Sequence, residues 1–180
     1  MTRGGVARGV ALALLCAAVI GAVLFAYRRS GESGGEEAGR LSGDPMAEAL
    51  LSQRPAVDPL EGFGETRVAL GGRCLRVAVA DEPAERTEGL REAHALGAYA
   101  GMLFVFPDDG RYTFTMADTL IDLDIGFYDA GGTEVDRQRM TPCAEGNDRS
   151  CPLYEASGPF RYAFETPAGA LGSGALSVCG

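Results

Sequence analysis

Residues 101–128 read GMLFVFPDDGRYTFTMADTLIDLDIGFY. Met102 to Phe106 is apolar at every position, which predicts a strand covered on both faces. Pro107-Asp108-Asp109-Gly110 supplies turn residues, so the chain is expected to reverse there, as a hairpin, into Tyr112, Phe114 and Met116. From Leu120 to Tyr128 the pattern alternates. Ile121, Leu123, Ile125 and Phe127 fall on one face, with Asp122, Asp124, Gly126 and Tyr128 on the other. This is the pattern of a half-buried antiparallel strand. Strand follows strand with no helical periodicity between them, so the fold class is mainly β.

Working outward, Thr66 to Leu70 and Cys74 to Ala80 read as strands around a Gly71-Gly72 turn. Asp81 is placed to cap a short helix with Pro83 in its first turn, ending near Gly89. Gly131-Gly132 turns the chain into Thr133 to Met140, a polar strand suited to a sheet edge. Phe160, Tyr162 and Phe164 alternate with Arg161, Ala163 and Glu165 in a further strand. Roughly seven or eight short strands with one helix predict an antiparallel sandwich or small barrel.

Before this module the composition changes twice. Residues 10–27, VALALLCAAVIGAVLFAY, carry no charge. At 1.5 Å per residue they nearly match a bilayer core about 30 Å thick. Residues 1–29 are therefore expected to be a membrane anchor. A cleaved signal peptide, leaving a secreted protein, is the alternative, but no small-x-small site follows the run before Arg28-Arg29. Residues 30–63 are rich in Gly, Ser, Glu and Pro, and such a segment buries too little apolar surface to offset the entropy of ordering. They are read as a tether with one short helix started by Asp44-Pro45. Residues 64–180 make up the β-rich domain.

Four cysteines lie beyond the apolar run. Cys143 and Cys151 bracket a short polar loop, and Cys74 and Cys179 occupy the non-core faces of the strands that carry them. The simplest pairing is 143–151 and 74–179, which implies an oxidising compartment and a single-pass topology with the amino terminus inside and the β domain outside. Neither spacing is that of a zinc site, and His94 is the only histidine. No metal or cofactor is expected.

Several motifs in order carry a family resemblance. They are Glu85-x-x-x-Gly89-Leu90, Gly101-Met102-Leu103-Phe104-Val105-Phe106, Phe114-Thr115-Met116, Asp118-Thr119, Leu123-Asp124-Ile125, Cys151-Pro152-x-Tyr154 and Tyr162-Ala163-Phe164-Glu165. The chain resembles domain of unknown function family 192 over about Val68 to Val178. The resemblance implies a compact, often exported β-rich domain with no established activity. It also exposes departures: the family has tryptophan where Thr115 stands, methionine at Arg91, asparagine at Asp118 and proline at Asp122.

Chemistry is sparse. Asp124 and Glu165 match the family motif and point away from the aromatic face of their strands, so they are the catalytic candidates. Paired carboxylates about 5 to 9.5 Å apart serve in glycoside hydrolysis. Asp122 and Asp124 share a face about 7 Å apart, too few donors for calcium, which takes about 6–8 oxygens. Asp118, Thr119, Met116 and Tyr154 are expected to gather with them at one rim as a ligand-binding set. From Leu41 onward 11 arginines face 22 acidic residues, a net −11, which repels nucleic acid. Two functions follow as expectations: a non-enzymatic binding or accessory module for a cell-envelope component, or a small hydrolase or lyase acting on envelope carbohydrate through Asp124 and Glu165.

Overall fold

The computed structural model describes Met46, Leu50, residues 53–143 and residues 150–179. The expected anchor, most of the tether and the interior of the 143–151 loop lie outside these residues. Among the described residues no helix is long and apolar enough to cross a membrane.

Strand β2 (Gly64–Leu70) turns directly into β3 (Arg73–Ala80), because Gly71 and Gly72 have φ of 59° and 76°, the left-handed pair that a two-residue hairpin loop requires. Helix α1 (Pro83–Glu88) follows. The Glu85 carboxylate accepts the N–H groups of Asp81 and Glu82 at 3.0 and 3.1 Å, so the cap falls on Glu82 rather than Asp81. Gly89, at φ 53°, ends the helix and donates its N–H to the Glu85 carbonyl.

The chain then returns to lay β4 (Gly101–Gly110) parallel to β3, a pairing that needs a crossover of this kind. Next come β5 (Thr113–Thr115), β6 (Leu123–Tyr128), β7 (Glu134–Met140), β8 (Leu153–Glu155), β9 (Phe160–Pro167) and β10 (Ser177–Val178). With β1 (Arg54–Pro55), the large sheet has the order β1-β2-β3-β4-β9-β6-β7, and β10 also pairs with β2. Strands β5 and β8 form a separate two-stranded sheet.

The expected sandwich or barrel is corrected here. The large sheet is open and, apart from β3–β4, antiparallel. The hairpin expected at Pro107–Gly110 is absent. Strand β4 runs through those residues, its register against β9 slipping between Val105 and Gly110, and β5 pairs with β8 instead. A bulge absorbs the turn residues that the sequence offers.

Both faces of the sheet are covered. On one side Met102, Phe104, Ile125, Phe127 and Phe160 pack with Phe114 and Met116. On the other, Leu103, Val105, Tyr128, Tyr162 and Phe164 pack with Val68, Leu176 and the helical residues Met46 and Leu50. Strand β6 is therefore buried beyond Asp124 on both faces rather than half-buried. The folded part also begins earlier than composition suggests: β1 pairs with β2, and Ala56 and Leu60 enter the first core. A few apolar residues spaced along an otherwise polar segment are enough to dock it.

Disulfides join Cys74 to Cys179 and Cys143 to Cys151, with S–S distances of 2.02 and 2.13 Å. These are the two pairs expected from strand phase and loop closure.

Candidate functional site

Under α1 the first core does not close. A cavity of about 430 Å³ opens between the helix, the turn that follows it, β4, β5 and β9. Its apolar walls are Phe104, Phe106, Tyr112 and Phe114. Phe106 and Tyr112 stack at 3.9 Å between centroids, and Phe104 meets Phe114 edge to face at 5.1 Å.

Glu165 lies at its base. The residue is 4% exposed and its side chain lines the cavity. No group among the described residues hydrogen-bonds or ion-pairs with its carboxyl. Burial alone pushes the pKa of this group up to about 8. The backbone beside it is held close: a Cβ on Gly101 would stand 2.0 Å from the Glu165 carbonyl oxygen, so only glycine lets β4 start against β9 here.

The mouth carries charge that is already engaged. Arg86 donates to the carbonyls of Asp81 and Val105, the latter at 2.9 Å, and its guanidinium stands 5.3 Å from the Phe106 centroid. Arg91 pairs with Asp118 at 3.0 Å and donates to the Ala117 carbonyl at 3.2 Å. Asp118 has φ 56°, a left-handed turn that aspartate tolerates.

The predicted set therefore divides. Thr119, 4% exposed, lines the cavity with Glu165, and Asp118 reaches its mouth through Arg91. Met116 is 1% exposed in the core. Tyr154 pairs with Phe114 across β5 and β8, and its hydroxyl accepts the Thr141 N–H at 3.2 Å.

Asp124 is elsewhere. Its cross-strand partner is Thr166, whereas Glu165 stands opposite Ile125, so Asp124 and Glu165 project from opposite faces of the sheet. They cannot serve as paired acid and base across one cleft, and that expectation is corrected. Asp124 accepts hydrogen bonds from Arg139 and, at 2.6 Å, from the Gly169 N–H. Burial opposes its ionisation, but the Arg139 and Gly169 hydrogen bonds and the charges of Arg139 and Arg137 outweigh it and hold the pKa below the usual range. Its role is to fasten the segment after β9 to β7. Asp124→Asn is expected to cost about 1–2 kcal/mol and to lower the thermal midpoint while leaving the cavity unaltered. An unchanged melt would remove this structural assignment.

Sequence reading did not bring forward Arg86 or Tyr112 as site residues, which come from the helix and a loop. One signal was present: two departures from the family pattern, Arg91 and Thr115, both line the cavity. Among the described residues no group of three or more His, Cys, Asp or Glu is placed to hold a metal ion.

A β-rich domain with an open mixed sheet and a cavity between helix and sheet is thus the class that fold and site define. The chain belongs to domain of unknown function family 192, described as Uncharacterized ACR, which it matches over residues 66–178. A protein of unknown function from Novosphingobium aromaticivorans is similar at 27% identity and TM-score 0.55, over 67% of this chain and 86% of that one. A protein from Sinorhizobium meliloti, provisionally described as a transcription regulator, is similar at 26% identity and TM-score 0.54, over 63% of this chain and 93% of that one. No curated protein matches the chain.

Proposed function

We propose that the chain is a non-enzymatic binding module, held at the outer membrane face by its N-terminal segment, that takes a small envelope component into the cavity above Glu165. The observation that carries this reading is the buried carboxyl without a partner at the base of an aromatic-walled cavity. Buried polar groups in folded proteins are almost always satisfied, and exceptions concentrate where a ligand completes the set. The cavity has the volume of a small-molecule site. Asp124, the expected partner of Glu165 in hydrolysis, is not part of it, because it lies across the sheet. The net −11 disfavours nucleic acid, so the regulator description of one relative is not carried over. The apolar run at 10–27 and the disulfides support an anchored, extracytoplasmic placement.

Thr115→Trp restores the family's side chain and fills the cavity from its β5 wall. Full-length protein extracted in detergent from membranes of its own cells should carry a small-molecule adduct in native mass spectrometry. Thr115→Trp should lose that adduct with its melting temperature little changed. Recovery from the soluble fraction would remove the anchor. An adduct that is missing, or indifferent to Thr115→Trp, would remove the cavity as the site.

A further inference from the structure

We propose that the cavity takes an organic ammonium ligand, a primary amine whose N–H groups hydrogen-bond the Glu165 carboxylate while its carbon frame lies against the aromatic walls. This inference rests on the reading of the cavity as a ligand site and adds the chemical class.

The argument begins with what Glu165 lacks. Its carboxyl is buried, lines the cavity and has no donor among the described residues. Its oxygen lone pairs are open to N–H or O–H donors of a ligand, and a charged donor forms hydrogen bonds roughly twice as strong as a neutral one. A carboxylate or phosphate ligand could take only the single O–H of the protonated carboxyl, and no donor once Glu165 ionises. The walls favour the same sign of charge. Phe104, Phe106, Tyr112 and Phe114 present ring faces and edges, and ring faces attract cations. Phe106 already holds the Arg86 guanidinium at 5.3 Å. The net −11 of the chain from Leu41 onward draws cations toward the mouth and repels anions.

The other charged or titratable groups that face the cavity are Arg86, Glu88, Arg91 and Tyr112. Arg86 is committed to two carbonyls, Arg91 to Asp118 and the Ala117 carbonyl, and the Tyr112 hydroxyl donates to Asp108 at 2.7 Å. The two arginines do not supply Glu165 with a counter-ion, and an incoming ammonium does. A primary amine fits better than a quaternary one, which has no N–H to offer the carboxylate. The hydroxyls of Thr115 and Thr119 beside it suit a frame that carries hydroxyls of its own, such as an amino sugar.

Proton balance gives the test. Below its pKa Glu165 enters the reaction as the acid, and binding of R–NH₃⁺ leaves the ammonium–carboxylate pair and one free proton. Full-length protein in detergent would be titrated calorimetrically at about pH 6, where the amine probes are charged, in two buffers of different ionisation enthalpy. The probes are glucosamine, its uncharged N-acetyl counterpart and putrescine.

Glucosamine should bind with release of about one proton, and N-acetylglucosamine at least about tenfold more weakly with none. Glu165→Gln should bring glucosamine down to the level of the neutral sugar while the protein still melts cooperatively. If neither glucosamine nor putrescine releases a proton, the ammonium assignment is wrong. If the two sugars bind alike and Thr115→Trp abolishes both, the cavity reading stands and the ligand class falls. If Thr115→Trp leaves the binding of both sugars intact, both fall.

Discussion

Replacing Glu165 by glutamine is expected to make the protein more stable at alkaline pH and to flatten its dependence on pH between about 5 and 8. The native carboxyl holds its proton up to about pH 8, whereas in the unfolded chain it ionises near its ordinary value of 4.5. Between those values the native state binds the extra proton, so the stability this group contributes is fully present below 4.5 and falls as pH rises toward 8. The slope is about 1.4 kcal/mol per pH unit, and the whole loss is on the order of 4–5 kcal/mol. Groups with depressed values, such as Asp124 and Asp136, act in the acid range and are common to both proteins. Thermal midpoints of wild type and Glu165→Gln at about pH 5, 7 and 9 should diverge upward in favour of the variant, by roughly 15 °C at the alkaline end. Parallel curves would mean that Glu165 is ionised or paired throughout, and the site would lose its central feature.

Removal of the Cys74–Cys179 bridge is expected to be the other large effect. It closes a loop with a sequence separation of 105, against 8 for Cys143–Cys151. The chain-entropy relation gives about 4.7 kcal/mol for the first and about 2.5 for the second. The long bridge also spans β2: Ala69 lies between Cys74 of β3 and Ser177 of β10 in register. Without it the two-residue β10 is held by its ladder to β2 and by Leu176, 1% exposed in the second core. Serine at both 74 and 179 should lower the melting temperature by roughly 15–20 °C, nearly twice the loss for serine at 143 and 151. An equal or larger loss for the short bridge would overturn the ordering.

Local chemistry was the legible part of this chain. Gly71-Gly72 permitted only a tight turn, Pro83 and Gly89 bounded a helix, and the polar run after Gly132 became β7 at the edge. Strand phase placed Cys74 and Cys179 on faces from which they join. Strand order was not legible, because nothing in a strand's own pattern says which neighbour it takes, and β9 enters between β4 and β6. The phase of β9 was misread for a related reason. Phe160 joins Phe106 and Phe127 in one core while Tyr162 and Phe164 enter the other, since the register slip in β4 interrupts the simple alternation. The site shows the same limit. Alternation put Glu165 on the less apolar face of its strand, but whether a face meets solvent or another layer is decided by α1 and β5, which come from far away in sequence. Asp124, read in the same way, occupies the other side of the sheet, because Glu165 and Asp124 are registered one residue apart across β6 and β9.

The placement of β9 also dictates an order of assembly. Strands β4 and β6 are near neighbours in the chain with only β5 between them, yet in the finished sheet they never touch, because β9 separates them. Until Phe160 to Pro167 is delivered, each presents an apolar edge with unmet backbone donors and acceptors, the kind of edge that recruits a strand from another molecule. Direct pairing of β4 with β6 would be a trap, since it would occupy the slot that β9 must fill. A chain that folds as it is made therefore has reason to keep its middle strands apart until the last quarter emerges, and a chaperone that shields strand edges would act during that interval.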